Sequence, residues 1–437
     1  MTTAREQIRD FVQQIRDFSA RPFVPGKTLI PATAPSYDIE EVANAVTAAL
    51  EFRPAAGHWA SWLERHLAEY VGVPHCRLVN SGSSANMLAL AALMSPRLGD
   101  ARLQPGDEVI TTACGFPTTI SPITRFGLTP VFVDVERPNY NVKVAELEAA
   151  VSSKTRAIIL AHTLGFPFDV GAVLGFCVSH DLYLIEDACD ALGAEWYGHK
   201  VGPFGHLSTL SFYPAHHMTT GEGGAVLTPN PDLDRIVTSL RDWGRDCYCA
   251  PGRDNTCGKR FAQENLGELP AGYDHKYVYS ELGFNLKLTD MQAAIGCAQL
   301  EKVDQFVEKR RENWEFYGEN LAELEDILEF QAALPGSRPS PFGFLMTVRE
   351  DAPFSRNELV AKLEAAKIQT RPLFAGNMLR QPAMAGVKHR VVNNFLPESD
   401  RAMNRAFWIG VHPGVSEEMR NYVVETIRKE VHRFARR

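Results

Sequence analysis

From about residue 40 to residue 300 the chain alternates helical stretches with short apolar runs rich in β-branched residues, and this alternation leaves few folds open. The runs are RLVN at 77–80, EVITTA at 108–113, PVFVDV at 130–135, AIILAHT at 157–163, LYLIED at 182–187, LSTLSFYP at 207–214 and GGAVLTP at 223–229. Strands of this kind separated by helices imply an α/β fold whose large, mainly parallel sheet is covered on both faces. Such sheets bind ligands at the carboxyl ends of their strands. A helical pattern from Thr289 to about Leu321 leads into further strands (FGFLMTVR, IQTRPLF, FWIGVHP) and a closing helix, SEEMRNYVVETIRKEVHRFA. The expected organisation is an N-terminal helix or arm over 1–38, a large domain over 39–300 and a small C-terminal α/β domain over 301–437.

A net charge of −8 over 437 residues weighs against a nucleic-acid partner, which needs a basic field to displace counterions. No apolar run approaches the roughly 20 residues that span a bilayer, so no membrane partner is expected. The opening MTTAREQIRDFVQQIRDF spaces Ile8, Phe11, Val12, Ile15 and Phe18 as one face of a helix, a pattern unlike a signal peptide. A cytoplasmic location is the expectation, and there the eight cysteines serve as thiols, metal ligands or buried small hydrophobes.

Three local patterns point to a phosphorylated cofactor. SGSSAN at 81–86 joins a strand to a helix, so backbone N–H groups and the Ser83 and Ser84 hydroxyls can receive a phosphate at the helix N-terminus; a plain tight turn is the alternative. Asp187 ends the apolar run LIED, where a buried carboxylate needs a partner such as the protonated pyridine nitrogen of pyridoxal or pyridoxamine phosphate; helix capping is the alternative. Ser211, again at a strand end, offers another phosphate donor, and Phe116 in GFPTT can lie flat on a ring.

Taken in order, SGSSAN, GFPTT, IEDACDA, SFYPAHHMTTGEGGAV and GFNLKLTDMQAAIG resemble the DegT/DnrJ/EryC1/StrS sugar aminotransferase family of fold-type I, aspartate aminotransferase-like proteins. The resemblance covers nearly the whole chain. It implies that Gly82, Ser83, Ser84 and Ser211 hold the cofactor phosphate, that Phe116 stacks on the ring and that Asp187 pairs with its nitrogen. It also implies that Asn285, in the GFN motif, reaches the phosphate of a neighbouring subunit, so a homodimer is expected.

One departure changes the chemistry that the resemblance implies. Family aminotransferases carry a cofactor-linking lysine five residues after the SF serine; here that position is His216, and no lysine occurs between Lys200 and Lys259. Imidazole cannot form the stable covalent link, so the cofactor is expected to be held non-covalently as pyridoxamine phosphate. Imidazole can still move protons near neutral pH. His216 is therefore expected to act as the base and His217 as a structural neighbour. Asp190, where aminotransferases often have His or Gln, and Tyr213 are lesser candidates for tuning or positioning.

Cys189, Cys247, Cys249 and Cys257 form the pattern C-x57-C-x-C-x7-C, with three of the four in an irregular loop over about 246–280. Four thiolates can enclose Zn²⁺ or a 2Fe-2S cluster, and the C-x-C step is tighter than the usual zinc knuckle. The same spacing resembles the iron-sulfur branch of the family, 3-dehydratases of nucleotide-linked 4-keto-6-deoxy sugars. CDP is the expected carrier and dTDP the alternative, with glutamate-coupled dehydration or transamination a further one. The branch implies a 2Fe-2S cluster fed by a separate NADH-dependent flavin and iron-sulfur reductase. No G-x-G-x-x-G opens a βαβ unit of this chain, so no dinucleotide site of its own is expected. Cys76, Cys114, Cys177 and Cys297 read as buried packing residues.

Overall fold

The computed structural model describes residues 2–15, 22–53, 55–249, 254–262 and 267–436. All seven apolar runs become strands of one sheet: β1 (His75–Val79), β2 (Glu108–Thr112), β3 (Thr129–Val133), β4 (Thr155–Ala161), β5 (Tyr183–Asp187), β6 (Leu207–Ser211) and β7 (Gly224–Thr228). Their order is β1-β7-β6-β5-β4-β2-β3, and a two-residue edge strand, Arg390–Val391, pairs in parallel with β3. Only β7 runs against its neighbours, being antiparallel to both β1 and β6. The fold is thus α/β with a mixed, mostly parallel large sheet. Every residue of β2 and β3 is buried, as expected of strands covered on both faces.

A second sheet of four strands, ordered Leu328–Phe330, Gly343–Val348, Ala406–Gly410 and Thr370–Pro372, is antiparallel throughout. It packs a core of its own that includes Phe344, Ile409 and Ile427. Ile30, from the N-terminal arm, joins that core and forms a parallel bridge with Ile368. The helix expected as one piece from Thr289 is two, Asp290–Leu300 and Val303–Leu321. The first is capped by Thr289 with Gln292 closing a capping box. The break at Glu301 and Lys302 lets the second helix bridge two cores, since Val303 and Val307 pack under the large sheet and Tyr317 and Leu321 under the small one.

The N-terminal helix forms over Thr2–Ile15, with Val12 buried while Phe11 and Ile15 are exposed; Phe18 lies outside the described residues. Among the described residues no helix is long and apolar enough to cross a membrane. Cys76, Cys114, Cys177 and Cys297 are buried.

One long-range cap ties the C-terminal half to the large sheet. Asp134, at the end of β3 and 1% exposed, accepts the N–H groups of Glu398 and Ser399 at 2.9 Å each and the Ser399 hydroxyl at 2.7 Å. It satisfies the first turn of helix Pro397–Arg405, whose own preceding residue, Leu396, offers no side-chain cap. Removing that carboxylate in Asp134→Ala should cost about 1–3 kcal/mol of unfolding free energy, the range for a lost cap that leaves buried donors unpaired. Asp134→Asn, which keeps one acceptor oxygen, should lose less. Urea unfolding of the three proteins checks the order, and indistinguishable midpoints would refute it.

Candidate functional site

A cavity of about 890 Å³ opens at the carboxyl edge of the large sheet, lined by residues that follow β1, β2, β4, β5 and β6 and by Phe342, Arg371 and Trp408 from the second sheet's region. Its position follows from topology, because the crossover from β3 to β4 passes over β2 and leaves the strand ends free there.

One wall is a serine cradle. Ser81 caps helix Gly82–Leu93 by accepting the Ser84 N–H at 3.0 Å, and its hydroxyl also meets the Ser84 hydroxyl at 3.0 Å. Ser84 is spent on the cap and does not line the cavity, whereas Ser81, Gly82 and Ser83 do. The cradle meets β6 so closely that a Cβ at Gly82 would lie 2.5 Å from Ser211 Cβ and 2.8 Å from Ser211 Oγ. Gly224, paired with Val79 on one side and Ser211 on the other, is pressed equally hard: a Cβ there would stand 2.7 Å from the Ser81 carbonyl. Two absent side chains thus set the N-terminus of the helix and the Ser211 hydroxyl side by side, a donor set suited to a phosphate.

At the floor, Asp187 is 5% exposed. Its Oδ2 accepts from Asn86 Nδ2 at 2.8 Å and from Thr119 Oγ1 at 2.6 Å, while Thr209 Oγ1 donates to Asn86 Oδ1 at 2.6 Å. Its Oδ1 accepts the Cys189 N–H at 3.2 Å. A buried carboxylate aligned by neutral donors, with one oxygen lightly engaged, suits a cationic ring nitrogen. Phe116, 53% exposed, lines the same cavity. Cradle, carboxylate and aromatic face together fit the expected cofactor.

The turn after β6 carries the departure from the lysine pattern. His216 and Asp190 side chains are 14% and 13% exposed, with Nδ1 3.3 Å from Asp190 Oδ1. The His216 ring leans on Phe342 with centroids 5.2 Å apart. Among the described residues lining the cavity there is no lysine. His217 turns the other way: its Nε2 lies 2.9 Å from the Ser340 carbonyl, and burial holds its pKa well below the ordinary imidazole value. Tyr213, 52% exposed, also borders the cavity.

Of the residues singled out in the sequence, the structure gathers Gly82, Ser83, Phe116, Asp187, Cys189, Asp190, Ser211, Tyr213 and His216 around this cavity. Asn285 is exposed away from it, bridged to Asp242. Cys247, Cys249 and Cys257 do not line it either. The three loop thiols interact with one another, and the Thr256 hydroxyl, 3.0 Å from Cys249 Sγ, brings that thiol down to about 7. Cys189 is instead pushed well up by burial and by the Asp187 carboxylate. Among the described residues no group of three His, Cys, Asp or Glu side chains is set to hold a metal ion. In this arrangement the four cysteines do not fit a closed cluster site.

Asn86, Thr119 and Arg371 were not anticipated. The first two stand inside quoted motifs, as the Asn of SGSSAN and the last Thr of GFPTT, and their spacing from the strand ends was the available signal.

Comparison with known proteins places this geometry. The profile of the DegT/DnrJ/EryC1/StrS aminotransferase family matches residues 37–428. The chain is 52% identical, over 96% of each chain, to the lipopolysaccharide biosynthesis protein RfbH of Salmonella typhimurium. It is 49% identical, over 98% of this chain and 94% of the relative, to dTDP-4-dehydro-2,6-dideoxy-D-glucose 3-dehydratase of Saccharopolyspora spinosa. A solved structure of E. coli GDP-4-keto-6-deoxy-D-mannose-3-dehydratase with bound hydrated PLP superposes with a TM-score of 0.81 at 25% identity, covering 91% of this chain and 99% of that one. The chain belongs to the DegT/DnrJ/EryC1/StrS aminotransferase family.

Proposed function

We propose that this enzyme is a pyridoxamine-phosphate-dependent 3-dehydratase that removes the C3 hydroxyl of a nucleotide-linked 4-keto-6-deoxy sugar. The observation that carries the reading is His216 at the family's lysine position, 3.3 Å from Asp190 at a cavity with no lining lysine among the described residues. The named 3-dehydratases among its relatives support it.

When bound, the cofactor supplies an amine that condenses with the sugar's C4 ketone and a π-system that accepts charge. Ser81, Gly82, Ser83 and Ser211 would hold its phosphate, Phe116 would cover the ring and Asp187 would pair with the ring nitrogen. Asp190 Oδ1 stands 3.3 Å from His216 Nδ1, and His216 would serve as the base that moves a proton at the cofactor's C4′ carbon. The C3 hydroxyl would leave as water with the proton that His216 had taken up. Tyr213 stands beside this turn as a positioning group.

The carrier is CDP or dTDP. The S. spinosa relative gives weight to dTDP, while CDP stays the reading of the sequence motifs. The reading extends to a homodimer in which Asn285 serves the neighbouring subunit. It extends also to a 2Fe-2S cluster on Cys189, Cys247, Cys249 and Cys257, with a separate NADH-dependent flavin and iron-sulfur reductase supplying two electrons. The cysteine spacing supports the cluster. Among the described residues the four thiols do not converge. That same observation favours a second reading, dehydration coupled to glutamate without external electrons.

Three experiments test these statements. His216→Lys should gain an absorption band from a covalent lysine–cofactor link and shift the enzyme from dehydration toward transamination; an unchanged spectrum with retained dehydratase turnover would remove His216 from its assigned role. Anaerobic reconstitution should give a brown protein with an EPR signal on reduction, and Cys249→Ser should lose both; zinc without iron, or full turnover with glutamate alone, would select the second reading. Turnover of CDP- against dTDP-linked 4-keto-6-deoxyglucose, each with reductase, should favour one carrier by about tenfold or more, the scale of one net hydrogen bond.

A further inference from the structure

Helix Val303–Leu321 carries two arginines against the back of the His216 turn. Arg311 is conventional: it donates to the carbonyls of Pro339 and Gly193 and pairs with Glu308. Arg310 is not. It is 1% exposed, one of the largest fully buried side chains in the molecule, and a buried guanidinium ordinarily lies against a carboxylate because desolvating an unpaired charge is costly. Here its hydrogen bonds go to backbone carbonyls instead. Nη2 donates to the His216 carbonyl at 3.1 Å and to the Ala215 carbonyl at 3.4 Å, and Nη1 to the Phe342 carbonyl at 3.4 Å, while Nε has no partner. Burial lowers its pKa to about 10, so it stays charged at neutral pH.

The carboxylate whose charge acts on Arg310 is Asp190, the one that also stands 3.3 Å from His216 Nδ1. The Phe342 ring touches the same assembly from a third side, 5.2 Å from the His216 ring and 5.9 Å from the guanidinium. One planar cation therefore grips the main chain at residues 215 and 216 and at Phe342, whose ring leans on the imidazole. A fork of fixed geometry does this where a flexible ammonium would not.

We propose that Arg310 is a positioning residue for the reaction: it fixes the backbone of the 215–216 turn, so that whatever side chain stands at 216 is delivered to the cofactor. This rests on the assignment of His216 to the cofactor site. It concerns the backbone beneath residue 216 and not the imidazole itself, so it can be tested without turnover.

The test uses the full-length His216→Lys protein, in which arrival of residue 216 at added pyridoxal phosphate is read as the lysine-link absorption band. Arg310→Met and Arg310→Lys are each introduced into that background, with circular dichroism confirming the fold. The Met variant should form the band about tenfold more slowly or incompletely, and the Lys variant should be intermediate, in keeping with the penalty for misplacing a reacting group. In the enzyme that keeps His216, Arg310→Lys should lower kcat about tenfold while leaving the KM for the nucleotide sugar within about twofold, the signature of lost positioning at the reacting centre. Should Arg310→Met fail to fold, the Lys variant, which preserves the charge and most of the volume, carries both comparisons. A folded Arg310 variant whose band forms at the unaltered rate overturns the proposal alone. Absence of any band in His216→Lys with Arg310 intact overturns the site assignment beneath it.

Discussion

The carboxylate of Asp187 is sealed beneath a sheet edge, and a charge in that position must be paired or neutralised. Much of the site is arranged to keep it aligned. Asn86 reaches it from the helix after β1, Thr119 from the helix after β2, and Thr209 holds Asn86 from β6. Four separate segments thus share one chain of hydrogen bonds, and each was brought there by the parallel strands whose ends it follows. Remove the requirement to satisfy Asp187 and nothing else obliges those polar side chains to converge in an otherwise apolar interior.

Above that floor the cavity is shaped as much by absent atoms as by present ones. Gly82 and Gly224 allow the serine turn, β6 and β7 to approach at backbone distance, which places the Ser211 hydroxyl beside the N-terminus of helix Gly82–Leu93. The turn that follows Ser211 then ends at residue 216 in one short arc. In a family built around a cofactor-linking lysine, this chain keeps the cradle, the floor and the arc and changes the side chain at the end of it. The proposed move from transamination to dehydration therefore needs no new fold.

The large sheet was legible because seven of its eight strands lie in short runs rich in apolar and β-branched residues that alternate with helical stretches. The edge strand Arg390–Val391 was not, since two residues carry no periodicity and one is charged. The single helix expected beyond Thr289 was misread at Glu301 and Lys302, which favour helix locally; the break is imposed by two cores that lie beneath different faces. Asp187, His216 and Ser211 were readable from their places in motifs. Asn86 and Thr119 were not, because their value lies in a partner supplied by another element. Arg310 gave no signal at all: an arginine beside an arginine in a charged helix reads as a solvated face, and only the packed structure shows it buried. The cysteine spacing was plain in the sequence, but spacing does not fix where a long loop carries its thiols.

Two histidines buried near Arg310 set an acid limit on the molecule. Burial, with the guanidinium adding to it, holds His217 neutral well below its ordinary value and brings His412 down to about 4. In the unfolded chain both would accept protons near the ordinary value of about 6.5. Their folded values are depressed, so the unfolded state binds more protons as the medium acidifies, and the stability owed to keeping the two rings neutral is whole above that value. It drains away as the pH falls from about 6.5 toward 4, for His412 by its full shift. Two buried histidines thus stay uncharged in the folded protein, the nearby buried cation adding to what their burial already demands.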